Sequence, residues 1–119
     1  MSLAIEIYQE TSSLPKSEVF GLQSQMRRAA VSVPSNIAEG HGRLSDKYLR
    51  LFLAQARGSL YELETQIELC RDLNYFDQNT TARLLAHAHE LANAQRLPPS
   101  PKPQPTSSKP RPTQVPLTS

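Results

Sequence analysis

Hydrophobic residues recur every three or four positions along most of the first 96 residues, the spacing of α-helices that each bury one face. Four stretches carry this pattern, at residues 3–11, 20–39, 46–73 and 78–96. Pro15 is expected to end the first helix and the Gly40–Gly42 run the second, while Asn74–Tyr75 forms the turn before the last. No stretch shows sustained alternation between hairpin turns, so the pattern predicts an all-α fold without a sheet.

Polar residues are expected to cap two of these helices. Ser45 precedes the third helix, with Asp46 favourably placed in its first turn, and Asp77 precedes the fourth. Oxygen-bearing side chains at such positions accept hydrogen bonds from the free N–H groups of a first turn. We therefore expect helix starts at these two positions.

Pro34 lies inside the second predicted helix. Proline there removes one backbone hydrogen bond and clashes with the carbonyl of Ala30. The segment is either one kinked helix or two helices. Because Ser32, Ser35 and Asn36 can satisfy the freed backbone groups, we favour a kink.

The third helix carries a hydrophobic seam with a strict seven-residue repeat. Its members, spaced alternately by four and three, are Leu49, Leu53, Ala56, Leu60, Leu63, Ile67 and Cys70. This spacing specifies side-by-side packing against long neighbouring helices, as in a four-helix bundle.

A second stripe runs along the opposite side of the same helix, roughly 150° from the first at ~100° per residue. Its members are Leu51, Ala54, Gly58, Tyr61 and Thr65. A helix in a small bundle needs one buried face, and its opposite face is normally polar. We therefore predict that this stripe contacts another copy of the protein. The alternative is that the short first helix or a loop covers Leu51 and Tyr61.

Between the two stripes lies an arginine edge. Arg50 and Arg57 are seven residues apart, Arg43 precedes the helix and Arg71 ends it. Such a row suits phosphate groups. It equally suits a solvated flank with salt bridges to acidic residues of a neighbouring helix or subunit, so both interpretations stay open.

The positive charge of the chain lies in its C-terminal residues. Residues 97–119 hold eight of the ten prolines, three basic residues and no acidic residue. Residues 1–96 are left with 10 basic and 11 acidic side chains, a net charge of −1, so the domain lacks a broadly basic surface. We predict a helical domain over 1–96 and a disordered proline-rich tail over 97–119. A docking role for the tail, toward a proline-reading groove or a polyanion, is the alternative to an unselected extension.

The sequence offers little for catalysis or for binding a cofactor, metal ion or small-molecule substrate. Cys70 is the only cysteine, which excludes disulfide scaffolds and zinc ribbons, and it lies on the apolar seam. His87 and His89 are two apart on a helix and point away from each other, so they cannot share a metal ion. Because these side chains offer no catalytic arrangement, we expect that the protein is not an enzyme. The sequence has no apolar run of ~20 residues and no secretion signal, so we expect a cytoplasmic protein.

Two long blocks carry a resemblance to a known family. They are residues 20–40, FGLQSQMRRAAVSVPSNIAEG, and residues 56–66, ARGSLYELETQ, with Gly42-Arg43 and Phe52-Leu53 between them. Together they resemble the four-helix-bundle family of proteins encoded in intervening sequences of bacterial 23S ribosomal RNA genes, over roughly residues 3–92. The first helix is shorter here than is usual in the family, and the proline-rich tail is not part of its pattern.

The resemblance implies an up-and-down four-helix bundle, Pro34 within the second helix, and ring-shaped homopentamers. A related branch, the accessory variability determinant of diversity-generating retroelements, binds a reverse transcriptase and nucleic acid through basic surface. By this resemblance, Arg27, Arg28, Arg43 and Arg57 become candidate nucleic-acid contacts, beside Arg50 of the arginine edge.

Two functional hypotheses follow. The first is a non-enzymatic homo-oligomeric scaffold that binds RNA or an RNA-handling protein through the arginine edge. The second is a protein–protein adaptor that displays several proline-rich tails and binds no nucleic acid. An enzyme built between subunits has only Glu39, His41 and Tyr61 as loosely suitable members and is the weakest interpretation.

Overall fold

A computed structural model describes residues 2–97, and these form four α-helices, one short 3-10 helix and no strand. The α-helices are α1 (Leu3–Thr11), α2 (Leu22–Gly42), α3 (Asp46–Asp72) and α4 (Gln78–Ala94), and the 3-10 helix spans Lys16–Glu18. The all-α prediction is confirmed. The predicted tail lies outside the described residues, apart from Leu97. None of the described helices has the length and apolar character that a membrane crossing requires.

The four helices pack in cyclic order, each against the next, and α1 closes the cycle against α4. Within residues 2–97, no Cα atom of α1 lies within 8 Å of a Cα atom of α3, nor one of α2 within 8 Å of one of α4, so these pairs lie diagonally across the core. Consecutive helices run in opposite directions, because contacting residues rise along one helix as they fall along the next. The pairs are Tyr8–Arg27 and Thr11–Gln23 for α1 and α2, Met26–Cys70 and Ser32–Ser59 for α2 and α3, and Arg57–Gln95 and Glu64–His89 for α3 and α4. The chain is therefore the up-and-down bundle that the resemblance implied.

The core is built from one face of each helix. Residues of the α3 seam from Leu53 to Cys70 are fully or almost fully buried, and Leu49 is half-buried at the open end. Seam residues from Leu60 to Cys70 share one buried cluster with Ile7 of α1, Met26 of α2 and Leu84 of α4. The heptad seam thus predicts the inward face of α3 correctly.

The second helix continues past its predicted end. α2 ends at Gly42, the last residue of the predicted stop, so the run does end the helix, but Gly40 and His41 belong to the helix and no glycine there has a positive φ angle. Gly40 is buried against α3, where a Cβ atom would lie 3.1 Å from the Cβ of Phe52. The glycine therefore permits close helix packing and does not terminate the helix.

Pro34 lies within α2, which is a single helix across it, so the two-helix alternative is wrong. Nearby polar side chains bond the backbone: Ser32 Oγ donates to the carbonyl of Ala29 at 2.9 Å, and Asn36 Nδ2 donates to the carbonyl of Ser32 at 2.8 Å. Ser32 Oγ also bonds Ser59 of α3. These bonds go to the carbonyls of Ala29 and Ser32, and neither reaches the carbonyl of Ala30, the group that Pro34 leaves without its helical donor.

The two predicted caps behave differently. The Asp77 side chain accepts a hydrogen bond from the backbone N–H of Thr80 at 2.7 Å, and this bond lowers the pKa of Asp77. Ser45 occupies the cap position of α3 in extended backbone geometry, but its side chain makes no capping hydrogen bond. Asn74, with a φ of 64°, turns the chain between α3 and α4.

Candidate interaction surfaces

The second stripe of α3 faces away from the bundle. All five predicted members, from Leu51 to Thr65, are exposed, and Leu51 and Tyr61 retain 46% and 43% of their accessible surface. Nothing lies within 4 Å of a Cβ atom placed on Gly58. The alternative in which the chain's own first helix or a loop covers this stripe is therefore wrong for the described residues.

Leu69 extends this surface by one more turn and was missed by the sequence analysis. It is 44% exposed and follows Thr65 by four residues, which places it on the same side of α3. The signal was present in its helical spacing. We call the surface formed by Leu51, Ala54, Gly58, Tyr61, Thr65 and Leu69 the outer stripe.

Arg27 is used within the fold. Its guanidinium lies over the ring of Tyr8, 4.6 Å from the ring centroid, and donates to the carbonyl of Tyr8 at 3.0 Å. Its Nε donates to the hydroxyl of Thr11, also at 3.0 Å. These contacts attach α1 to α2, which gives Arg27 a structural role on the α1 side of the bundle.

Arg28 and Arg43 lie on other parts of the surface. Arg28 is exposed on α2. Arg43 follows α2, pairs with Glu39 at 2.7 Å and lies over the rings of Tyr48 and Phe52. The structure does not gather the five predicted arginines into one patch.

Arg50 and Arg57 do share one site. Together with Arg96 and Leu97 they line a cavity of about 400 Å³ between α3 and the end of α4. We call this the arginine cavity. Arg50 and Arg57 therefore lie on the same edge of α3, as their seven-residue spacing predicted. Arg96 joins them because α4 runs antiparallel to α3, and the sequence analysis missed it.

The cavity arginines are held by hydrogen bonds. Arg57 Nη1 donates to the carbonyl of Gln95 at 3.0 Å, and Arg96 Nη2 donates to the hydroxyl of Tyr61 at 3.3 Å. Arg50 pairs with the exposed Asp46 at 2.9 Å. Tyr61 belongs to the outer stripe, so the arginine cavity and the outer stripe are adjacent.

A charged cluster between α1 and α4 was also missed. The almost buried Glu6 accepts from Arg83 Nη1 at 2.8 Å and lies 2.8 Å from His87 Nδ1, while Glu10 accepts from Arg83 Nη2 at 2.7 Å. The hydrogen bonds that Arg83 donates to Glu10 and Glu6 raise the pKa of its guanidinium. The partners are more than 70 residues apart in sequence, so no local pattern pointed to them.

The remaining reactive side chains are engaged structurally. His87 faces Glu6, whereas His89 lies 3.5 Å from Glu64 on α3, so the two histidines diverge as predicted. Within residues 2–97 no three His, Cys, Asp or Glu side chains are grouped as metal ligands. Burial raises the pKa of the Cys70 thiol from 9.0 to about 11. The sulfur of Cys70 lies 3.5 Å from that of Met26.

Comparison with known families gives one match. The family model for the 23S rRNA-intervening sequence protein covers residues 1–95 of the chain. The chain belongs to this family. A search among curated proteins finds no match. The part of the chain that matches the 23S rRNA-intervening sequence protein family includes all four helices, the outer stripe and two of the three cavity arginines. Arg96 and the proline-rich residues follow the matched region.

Proposed function

We propose that this protein is a non-enzymatic homo-oligomeric scaffold, a pentamer, that binds RNA through the arginine edge of α3. The observation that carries the proposal is the exposed outer stripe beside the arginine cavity. One helix thus offers an apolar surface for another copy and a cationic surface for an anion.

The outer stripe has the composition of a helix–helix contact. Ala54 and Gly58 form a flat centre that lets a second backbone approach, and Leu51, Tyr61 and Leu69 provide apolar area around it. Full burial of one large apolar side chain contributes about 1.5–3 kcal/mol relative to full exposure, and these three begin 43–46% exposed. Several such side chains buried in each interface would favour association. The number of five copies rests on the family resemblance.

The test of assembly is the mass of the protein in solution. We expect light scattering at micromolar concentration to give a multiple of the 13.3 kDa chain, five for the proposed pentamer. Ala54→Glu should convert the assembly to monomers, since it places a charge in the centre of the outer stripe. Ser24→Glu, at an exposed position of α2, is the matched control and should leave the mass unchanged. A wild-type monomer at these concentrations would reject the scaffold.

The RNA role follows from the local concentration of arginine on a domain whose net charge is close to zero. Phosphate contacts release counterions, so the logarithm of the binding constant should fall with the logarithm of salt concentration by about 0.7 per contact for single-stranded RNA. A salt-independent binding constant, or no binding at low salt, contradicts this role.

The adaptor hypothesis makes a different prediction. If the proline-rich residues capture partners, deleting residues 98–119 should abolish retrieval of those partners in a pull-down while the oligomer persists. Retrieval of the same partners by the truncated protein would reject the adaptor.

A further inference from the structure

We propose that a cavity between α1, α2 and α4 binds a small neutral aromatic molecule with one N–H or O–H donor, and that His87 accepts the hydrogen bond. The cavity measures about 250 Å³, and no residue of α3 lines it. We call it the apolar cavity. The inference goes beyond the proposed function, because the outer stripe and the arginine edge both belong to α3. The sequence analysis did not find this site, since its residues come from three separate helices.

The first step concerns the wall of the apolar cavity. Most of it consists of apolar side chains of the three helices: Leu3, Ala4, Ala30, Val33, Ile37 and Leu91. Three of these, Leu3, Ala30 and Val33, are almost fully buried, and the others are half-buried. An engineered core cavity of ~150 Å³ binds benzene, so a cavity of about 250 Å³ has room for a bicyclic ring. A charged body would lose its hydration against this wall, and a rigid ring has little conformational freedom to lose.

The second step concerns the polar group at this cavity. His87 lines it, and Nδ1 of His87 lies 2.8 Å from Oε2 of Glu6. The other carboxylate oxygen of Glu6 accepts a hydrogen bond from Arg83 at 2.8 Å. A carboxylate accepts only, so Nδ1 of His87 is the donor, and Nε2 of the neutral ring keeps its lone pair. Within residues 2–97, no donor bonds Nε2 of His87, which leaves it available to a ligand.

The third step concerns how firmly this acceptor is held. Glu6 is almost buried, and the Arg83 that bonds it also bonds Glu10 at 2.7 Å. Turning the His87 ring would break its bond to a carboxylate that is fixed on both sides. A histidine oriented by a carboxylate presents a single tautomer, and a fixed acceptor lowers the ordering cost of binding. The cavity should therefore prefer a ring with a donor over the same ring without one.

The experiment compares indole with 1-methylindole, which has the same ring system but no N–H donor. Binding to the full chain is measured by NMR titration, with the methyl signals of Ala30 and Leu91 reporting the location. A ligand of this size should bind with a Kd on the order of 0.1–1 mM. The acceptor variant is His87→Phe, which keeps an aromatic ring and removes Nε2. Comparing the ratio of the two affinities between wild type and variant cancels the effect of the added methyl group.

We expect the preference for indole over 1-methylindole to fall roughly 2- to 10-fold in His87→Phe, the value of one hydrogen bond. Leu91→Phe adds bulk to the wall and should weaken both ligands at least about fivefold. Its matched control is Leu85→Phe, since Leu85 is also half-buried on α4 but lines a groove toward α3. The control should leave both affinities unchanged. Thermal melting followed by circular dichroism establishes that each variant is folded.

Several outcomes overturn the inference. Absence of saturable binding by the wild type up to about 5 mM indole would reject the site. An equal preference for indole in wild type and His87→Phe would remove His87 as the acceptor. Equal weakening by Leu91→Phe and Leu85→Phe would mean that indole binds elsewhere. Tighter binding of a short tryptophan-containing peptide than of indole would assign the cavity to a side chain of a partner protein. Failure here leaves the light-scattering and RNA tests of the proposed function unaffected.

Discussion

The two sides of α3 show how one helix serves two different contacts. The inner side, from Leu53 to Cys70, is buried by α2 and α4 and belongs to the core. The outer stripe, on the other side, has leucine and tyrosine as well but is open to solvent in the single chain. Similar apolar content on the two sides therefore has different consequences, because only the inner side has partners within the chain. Stability should depend on the inner side and association on the outer stripe.

The largest expected difference between the inner side and the outer stripe is in the reaction rate of a cysteine thiol placed on each. At pH 8, Cys70 in the folded chain should react with a disulfide reagent at least about a thousandfold more slowly than in the unfolded chain, because reaction requires opening of the core. A Thr65→Cys/Cys70→Ala variant should react in the dilute monomer at a rate close to that of the unfolded chain. Rapid reaction of Cys70 in the native chain would contradict the burial of the inner side.

The same thiol gives a pH dependence. An unfolded thiol loses its proton near pH 9.0, whereas Cys70 in the fold does so only at about 11. Its contribution to the free energy of unfolding is therefore complete below pH 9 and decreases as the pH rises toward 11. Cys70→Ala should remove this part of the decrease, which urea titrations at several pH values can measure.

Shortening a leucine should affect the inner side far more than the outer stripe. Leu60→Ala should lower the free energy of unfolding by about 2–5 kcal/mol, since Leu60 is fully buried and the change leaves a cavity. Leu51→Ala should change it by less than about 0.5 kcal/mol. Urea denaturation at concentrations where each variant is monomeric provides the comparison. Comparable losses would mean that the outer stripe is part of the folded core.

Gly58→Ala should have the smallest effect, stabilising the monomer slightly while weakening its association. In the monomer it should raise the free energy of unfolding by up to about 1 kcal/mol, because alanine favours helix and its Cβ meets nothing within 4 Å. In the assembly the added Cβ should weaken association. Gly42→Ala, in the last turn of α2 and equally open, should leave association unchanged. Unchanged association of Gly58→Ala would argue against close packing at this stripe.

Helical periodicity accounted for most of the fold and for most residues of the outer stripe and the arginine cavity. The spacing of the α3 residues identified the inner side and the outer stripe, because both depend only on positions along one helix. The end of α2 was predicted to within three residues, but the role of Gly40 was not, since it depends on a contact with Phe52 on another helix.

The site residues show the same division. Arg50 and Arg57 were found by their seven-residue repeat, whereas Arg96 depends on how α4 lies beside α3. Arg27 matched the family pattern, but its bonds to Tyr8 and Thr11 could be found only once α1 was placed on α2. Contacts between helices, and the cluster of Glu6, Arg83 and His87 above all, need tertiary structure to be seen.

The cyclic order of the helices has a practical consequence for anyone building fusions. Because α1 contacts α2 and α4 and lies across the bundle from α3, a fluorescent protein or purification handle joined before Ser2 would sit away from the outer stripe. A handle joined directly after Leu97 would emerge beside Arg57 and Arg96, because Leu97 lines the arginine cavity. Amino-terminal labelling is therefore the design that leaves both surfaces accessible.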